Sequence, residues 1–158
     1  MSRHAAVIDA LRRAPEIIVP LVAEAPPALL RRRPSPKRWS IHEHACHLAH
    51  VHGLFFERLD RMLSEPAPVI RPYLPGDQDP DDFLLKMHLN ESLERFTEDR
   101  RRLVERLELL SDADWERTAD HSEYRQYSVF IMFRHVALHD FLHAYRIEEL
   151  VLQRMSNP

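Results

Sequence analysis

The chain has 158 residues, of which 44% are hydrophobic and 30% are charged, a composition typical of one soluble globular domain. This composition excludes a wholly disordered or fibrous protein. The 22 basic and 25 acidic residues are interspersed and leave a net charge of -3, so we expect no nucleic-acid partner. Glycine occurs only at Gly53 and Gly76, which argues against phosphate-binding loops, Rossmann turns and tight hairpins. We therefore expect a single all-α domain over residues 1–158.

The sequence contains no apolar run long enough to span a membrane, and its N-terminal segment lacks the apolar core of a signal peptide. Cys46 is the only cysteine and cannot form an intrachain disulfide, which fits a reducing compartment. These features predict a cytoplasmic protein without a membrane segment.

Four helical segments are predicted in chain order, separated by proline-rich or polar joints. The first covers residues 3–30, where Pro15 and Pro20 should bend or break it. The second begins at a capping box formed by Ser40 and Glu43 and extends to about Leu63.

That proline cluster, residues 64–80, is predicted to be a long loop and a candidate rim of a functional site. Asp79 and Pro80 then form an N-cap and first helical position that open a third helix over residues 81–110. A fourth helix covers residues 128–153. Because strand signals are absent, these amphipathic segments predict a four-helix bundle, either up-and-down or with a long crossover connection.

Two histidines of the last helix, His139 and His143, lie four residues apart on its apolar stripe. Side chains at this spacing point the same way and can share one metal ion, or they can be packed histidines that bond to neighbours. His47 lies on the apolar stripe of the second helix and is the best-placed third ligand, with His44 and His50 as alternatives. Three imidazoles leave a coordination position open, which is the arrangement of a catalytic site.

The remaining histidines and the cysteine of the second helix are not expected to bind the metal. His42 and His52 are predicted to lie at the surface, and Cys46 is predicted to be a small buried hydrophobic residue. The sequence HEHAC at 42–46 lacks the second histidine of the zincin motif, since a cysteine holds that place.

The run WSxxExxxH from Trp39 to His47, together with HxxxH from His139 to His143, resembles the DinB/YfiT-like superfamily. The resemblance covers nearly the whole chain. It implies a four-helix bundle with a crossover connection, often a homodimer. It also implies a metal site with nickel or zinc bound to His47, His139 and His143. Phe130, Phe133 and Phe141 offer more apolar surface around the last helix than one inward face needs, which also favours a dimer. 

Two further residues are candidates for catalytic roles. Arg146 stands where many members of the family have glutamine; it either holds an anionic substrate or pairs with Glu149. Glu43 is either a proton acceptor or hydrogen-bond partner near the metal, or only the capping partner of Ser40. Asp140 is predicted either to hydrogen-bond a metal ligand or to be a charge on the helix face.

Some members of the family transfer or isomerise with low-molecular-weight thiols. The resemblance therefore implies a metal-dependent enzyme, a thiol S-transferase or hydrolase, that acts on a small-molecule substrate. The alternatives are a metal-binding or stress-associated bundle without turnover, and a bundle whose histidines are packed without an ion.

Overall fold

A computed structural model describes residues 2–73 and 82–152, and these ranges are mainly helical. In chain order the elements are α1 (Arg3–Glu24), α2 (Pro27–Leu30), α3 (Ile41–His50), α4 (His52–Ser64), β1 (Val69–Ile70), α5 (Phe83–Lys86), α6 (Leu89–Glu108), α7 (Asp112–Trp115), β2 (Asp120–His121) and α8 (Val129–Leu152). The long segments α1, α3 with α4, α6 and α8 form a four-helix bundle, as predicted. No helix in the described ranges combines the length and apolarity needed to cross a membrane.

The first predicted helix is not broken at either internal proline. Pro15 and Pro20 both lie within α1. Each proline removes one backbone hydrogen bond, and burial of the apolar face that includes Leu11 and Ile18 offsets that cost.

The predicted extent of this helix to residue 30 was wrong, because Ala25 and Pro26, which each precede a proline, leave the helical conformation. They separate α1, which ends at Glu24, from the short helix α2.

The second and third predicted helices are each divided. The capping box of Ser40 and Glu43 opens α3 as predicted, but α3 ends at His50, and Val51 separates it from α4. In the third segment, Met87 and His88 adopt extended dihedral angles between α5 and α6, so the prediction of one continuous helix was wrong. The predicted start at Asp79–Pro80 lies outside the described residues.

A two-stranded parallel pairing fixes part of the proline-rich segment. Val69 pairs with Asp120 and Ile70 with His121, so β1 and β2 join this segment to the turn that precedes α8. This connection was not predicted. It brings aromatic residues of both segments close to residues of α3, α4 and α8.

The helices pack so that α8 contacts both α1 and α3, and α6 contacts the same two helices from the opposite side. Phe130 and Phe133 are buried in this core, so only Phe141 of the predicted surface aromatics is exposed, at 37%. The outer face of α8 nevertheless carries an exposed apolar strip formed by Leu138, Phe141, Leu142 and Tyr145.

Candidate metal centre

The structure brings together the three histidines that the sequence singled out. The Nε2 atom of His139 lies 3.1 Å from that of His47 and 3.0 Å from that of His143. The three candidate ligand atoms lie within 4.8 Å of one another, with His47 supplied by α3 and the other two by α8. We call this group the histidine trio.

Local structure explains why the trio forms. His139 and His143 are one turn apart on α8, and the Ser40–Glu43 capping box fixes the start of α3 just before His47. The indole ring of Trp39 packs at 4.9 Å from the ring of His47 and 5.9 Å from that of His143. Trp39 therefore restricts the orientation of two of the three imidazoles.

Burial keeps these imidazoles neutral. It lowers the pKa of His47 to about 3 and that of His143 to about 2, and it also lowers the pKa of His139. Within the described residues, the Nδ1 atoms of His47 and His139 are buried without a hydrogen-bond partner, while the Nε2 atoms face one another. Neutral imidazoles with converging nitrogens fit a divalent cation, because one ion can accept all three lone pairs.

His44 lies behind the trio rather than within it. Its Nδ1 atom is 2.8 Å from Nδ1 of His143. When Nε2 of His143 acts as a ligand, its proton resides on Nδ1 and can be donated to His44. His44, which the sequence offered as an alternative third ligand, is thus placed to orient the ring of His143.

Glu43 has partners other than the trio. Its carboxylate accepts hydrogen bonds from the backbone and hydroxyl of Ser40 and from the guanidinium of Arg33. Burial raises the pKa of Glu43, but these donors outweigh burial and the net shift is downward. The capping role is confirmed, and the carboxylate remains ionised in contact with Arg33.

Arg146 forms the salt bridge that was one of its two predicted alternatives. Its Nη1 atom lies 2.7 Å from Oε2 of Glu149 in a partly exposed position. The pair has both members on α8, three residues apart, and leaves the guanidinium accessible to solvent.

A buried charge network adjoins the trio and was not predicted. Asp140 is 1% exposed and pairs with Arg100, which also donates to the carbonyl of Leu11 at 3.2 Å and to Nε2 of His52 at 3.2 Å. Asp140 therefore bonds neither to His139 nor to solvent, and neither predicted role holds. Arg100 lies four residues after Phe96 and three before Leu103 on the apolar stripe of α6, which is the one sequence signal that indicates its burial.

The surface positions predicted for His42 and His52 were wrong. His42 is 3% exposed, with Nε2 at 3.1 Å from the carbonyl oxygen of Leu84 in α5, and His52 is 2% exposed. His42 is covered by α5, and His52 packs against Arg100 and Phe96 of α6. Cys46 is fully buried, as predicted.

A cavity of about 250 Å³ lies beside the trio, and we call it the aromatic cavity. His47 and His139 contribute to its wall, together with Tyr73, Tyr124 and Tyr127. Arg58 also lines it and is held by a 2.6 Å hydrogen bond from Nη2 to the carbonyl oxygen of Arg71. A small apolar or aromatic molecule in this cavity would reach the trio directly.

Comparison with known proteins identifies the family and the fold. A sequence profile of the DinB superfamily matches residues 10–147. Among solved structures, the fold is similar to that of YfiT from Bacillus subtilis, with a TM-score of 0.83 and 22% sequence identity over 95% of this chain and 87% of that chain. YfiT is described as a probable metal-dependent hydrolase with an unusual four-helix bundle topology. A search of curated proteins returns no match.

Proposed function

Since the chain belongs to the DinB superfamily, we propose that it is an enzyme that uses one divalent metal ion, zinc or nickel, to act on small molecules. The ligands are His47, His139 and His143. The observation that carries the proposal is that the converging nitrogens of this trio adjoin the aromatic cavity, since His47 and His139 form part of its wall. A metal that served stability alone would need no such access.

A divalent ion held by three imidazoles keeps a coordination position open and lowers the pKa of a water or thiol bound there. The chain supplies the surroundings for this chemistry. Trp39 and His44 hold the ligand rings in place, and the tyrosines of the aromatic cavity pack against the apolar part of the substrate. Glu43 acts indirectly: its capping box fixes the first turn of α3, the helix that carries His47.

The type of reaction would depend on which nucleophile the metal ion binds beside the three histidines. An ion held by His47, His139 and His143 would supply an activated water for hydrolysis, or an activated low-molecular-weight thiol for thiol S-transfer to an electrophilic substrate. We place hydrolysis first, because the structurally similar YfiT is described as a probable metal-dependent hydrolase. Thiol transfer is the second candidate, and Arg58 beside the aromatic cavity offers a charge for an anionic cosubstrate.

The test uses untagged protein loaded with zinc or nickel and assayed against a panel of small esters and amides. A parallel panel pairs small thiols with an electrophile. We expect turnover in one panel that a chelator abolishes and that His139→Ala removes. His88→Ala, which deletes an exposed imidazole elsewhere, is the matched control and should retain turnover.

Two outcomes would contradict the proposal. Turnover that is indifferent to the chelator would place the reaction away from the trio. A full equivalent of bound metal without turnover in either panel would favour a metal-binding bundle that has no catalytic role.

The assembly and location proposed for the protein are a homodimer in the cytoplasm. The exposed apolar strip on α8 supports self-association, because such strips are normally covered in soluble proteins. Leu142→Glu, at a position that is 52% exposed, should give a monomer in sedimentation measurements while the fold is retained. An unchanged mass would contradict an interface on this strip.

A further inference from the structure

A second cavity, of about 420 Å³, shares no lining residue with the aromatic cavity. Its wall is formed by Lys37, Arg38, Trp39, His44, Arg146 and Leu150. Three of these six residues are cations and none is acidic. We call it the cationic cavity.

The positive charges of this cavity are largely unneutralised. Arg146 pairs with Glu149, but Lys37 and Arg38 have no acidic partner within residues 2–73 and 82–152. Arg38 and Arg146 come from separate segments of the chain, and both line this one cavity.

The remaining wall is suited to the organic part of a ligand. Trp39 is half-buried and offers an aromatic face, and Leu150 is buried. Such a combination, with an apolar surface and a few convergent charged groups, is the usual composition of a small-molecule site. Guanidinium groups bind carboxylate and phosphate oxygens through paired hydrogen bonds, and an anion between several cations relieves their mutual repulsion.

We propose that the cationic cavity is a separate binding site for a small organic anion that carries a carboxylate or phosphate group. None of the three trio residues lines this cavity, so its occupant is distinct from a molecule in the aromatic cavity. The two sites are nevertheless close, because His44 belongs to the cationic cavity and is hydrogen-bonded to His143. The proposal does not rest on catalysis at the trio.

Trp39 provides a direct reporter of binding. The other tryptophan, Trp115, is 2% exposed in the core, so Trp115→Phe leaves fluorescence that comes from the cavity wall. This variant, treated with chelator, is titrated with inorganic phosphate and with succinate at constant ionic strength. We expect a saturable change in fluorescence with one or both anions, and calorimetry on the unmodified chain should give the same affinity. Dimethyl succinate, which lacks the charges, should give no change.

Charge variants then locate the site. Arg38→Gln and Arg146→Gln should each weaken anion binding about tenfold, the effect of one lost charge-assisted hydrogen bond. Arg13→Gln is the matched control, because Arg13 is an exposed helical arginine paired with Asp9 on its own helix. It should leave the affinity unchanged. Circular dichroism and urea unfolding verify that each variant is folded.

Three results would overturn the proposal. The first is the absence of a saturable response to either anion by both methods. The second is an equal loss of affinity in Arg13→Gln and in the cavity variants, which would indicate a general charge effect. The third is anion binding that requires loaded metal and is lost with His139→Ala, because that result would assign the anion to the trio.

Discussion

Two buried polar clusters meet at adjacent residues of α8, and they differ in how their polar groups are satisfied. His139 belongs to the trio, whose Nε2 atoms have mainly one another as neighbours. The next residue, Asp140, pairs with Arg100, and Arg100 also donates to Leu11 and His52. One cluster holds a pair of opposite charges, with Nδ1 of His52 as its one buried atom that lacks a hydrogen-bond partner among the described residues. The other gathers three acceptor-capable nitrogens around one point.

This difference separates a structural role from a functional one. Buried charges are tolerated when they are paired, and the Arg100–Asp140 pair joins α6 to α8. Gathering neutral imidazoles costs free energy without an ion to bind them, since their desolvation is not repaid by matched hydrogen bonds. We therefore expect variants of the first cluster to affect stability, and variants of the second to affect metal binding.

The largest effect is expected for Asp140→Ala. It leaves the guanidinium of Arg100, which is 2% exposed, with neutral partners only. We expect the free energy of unfolding in urea to fall by about 3–5 kcal/mol. The double variant Arg100→Met with Asp140→Leu should recover most of the loss, because neither charge remains buried. A loss below about 1 kcal/mol in the single variant would show that the pair is not the structural cluster.

A smaller effect is expected when His143 loses the acceptor that His44 provides. His44→Phe removes the partner of Nδ1 of His143 and should weaken metal binding about 10- to 100-fold, measured by competition with a chromophoric chelator. His44→Asn keeps an acceptor near the same place and should restore much of the affinity. Equal affinities of the Phe variant and the unmodified chain would contradict an orienting role.

The pH dependence of stability tests the structural cluster again. Burial, followed by repulsion from Arg100, lowers the pKa of His52 to about 3 in the folded protein. The unfolded chain binds this proton below about pH 6.5, so the free energy of unfolding falls as the pH drops below that value. The contribution of His52 is about 1.4 kcal/mol per pH unit until the folded pKa is approached.

The histidines of the trio also have lowered pKa values, so they too reduce the free energy of unfolding as the pH drops. The effect of His52 is therefore measured as the difference between two chains, both free of metal. In His52→Gln the amide oxygen still accepts from Arg100, but the side chain does not titrate. The free energy of unfolding of this variant should therefore decline less steeply between about pH 6 and pH 5. Urea unfolding across this range measures the slopes. Parallel curves for the two chains would contradict a neutral His52 in the folded state.

The smallest effect is expected for Arg146→Gln. Its ion pair with Glu149 is partly exposed, and such pairs contribute about 0.5 kcal/mol or less. Thermal unfolding should therefore be nearly unchanged, in contrast to Asp140→Ala. A large loss of stability would show that Arg146 has a structural partner besides Glu149.

Much of the fold was predictable because its signals are local. The Ser40–Glu43 capping box and the apolar periodicity of α8 each lie within a few residues of sequence. The break at Val51 and the pairing of β1 with β2 were missed. A two-residue strand has no periodicity to detect, and its partner lies far away in the chain.

The two clusters differ for the same reason in how well the sequence predicts them. The histidine trio was predictable from a spacing of four residues and from the stripe that holds His47. The network of Arg100, Asp140 and His52 joins three helices, and no local pattern indicates which arginine pairs with which acid. His52 was placed at the surface by the periodicity of one continuous helix, whereas α4 begins anew at His52, which is buried.

The central claim is that the trio binds a metal ion, and elemental analysis of untagged protein tests it most directly. We expect one equivalent of zinc or nickel per chain after incubation with either ion. The metal should be lost in folded His139→Ala and retained in His88→Ala. No bound metal at any stage, or equal content in His139→Ala and the unmodified chain, would contradict the account.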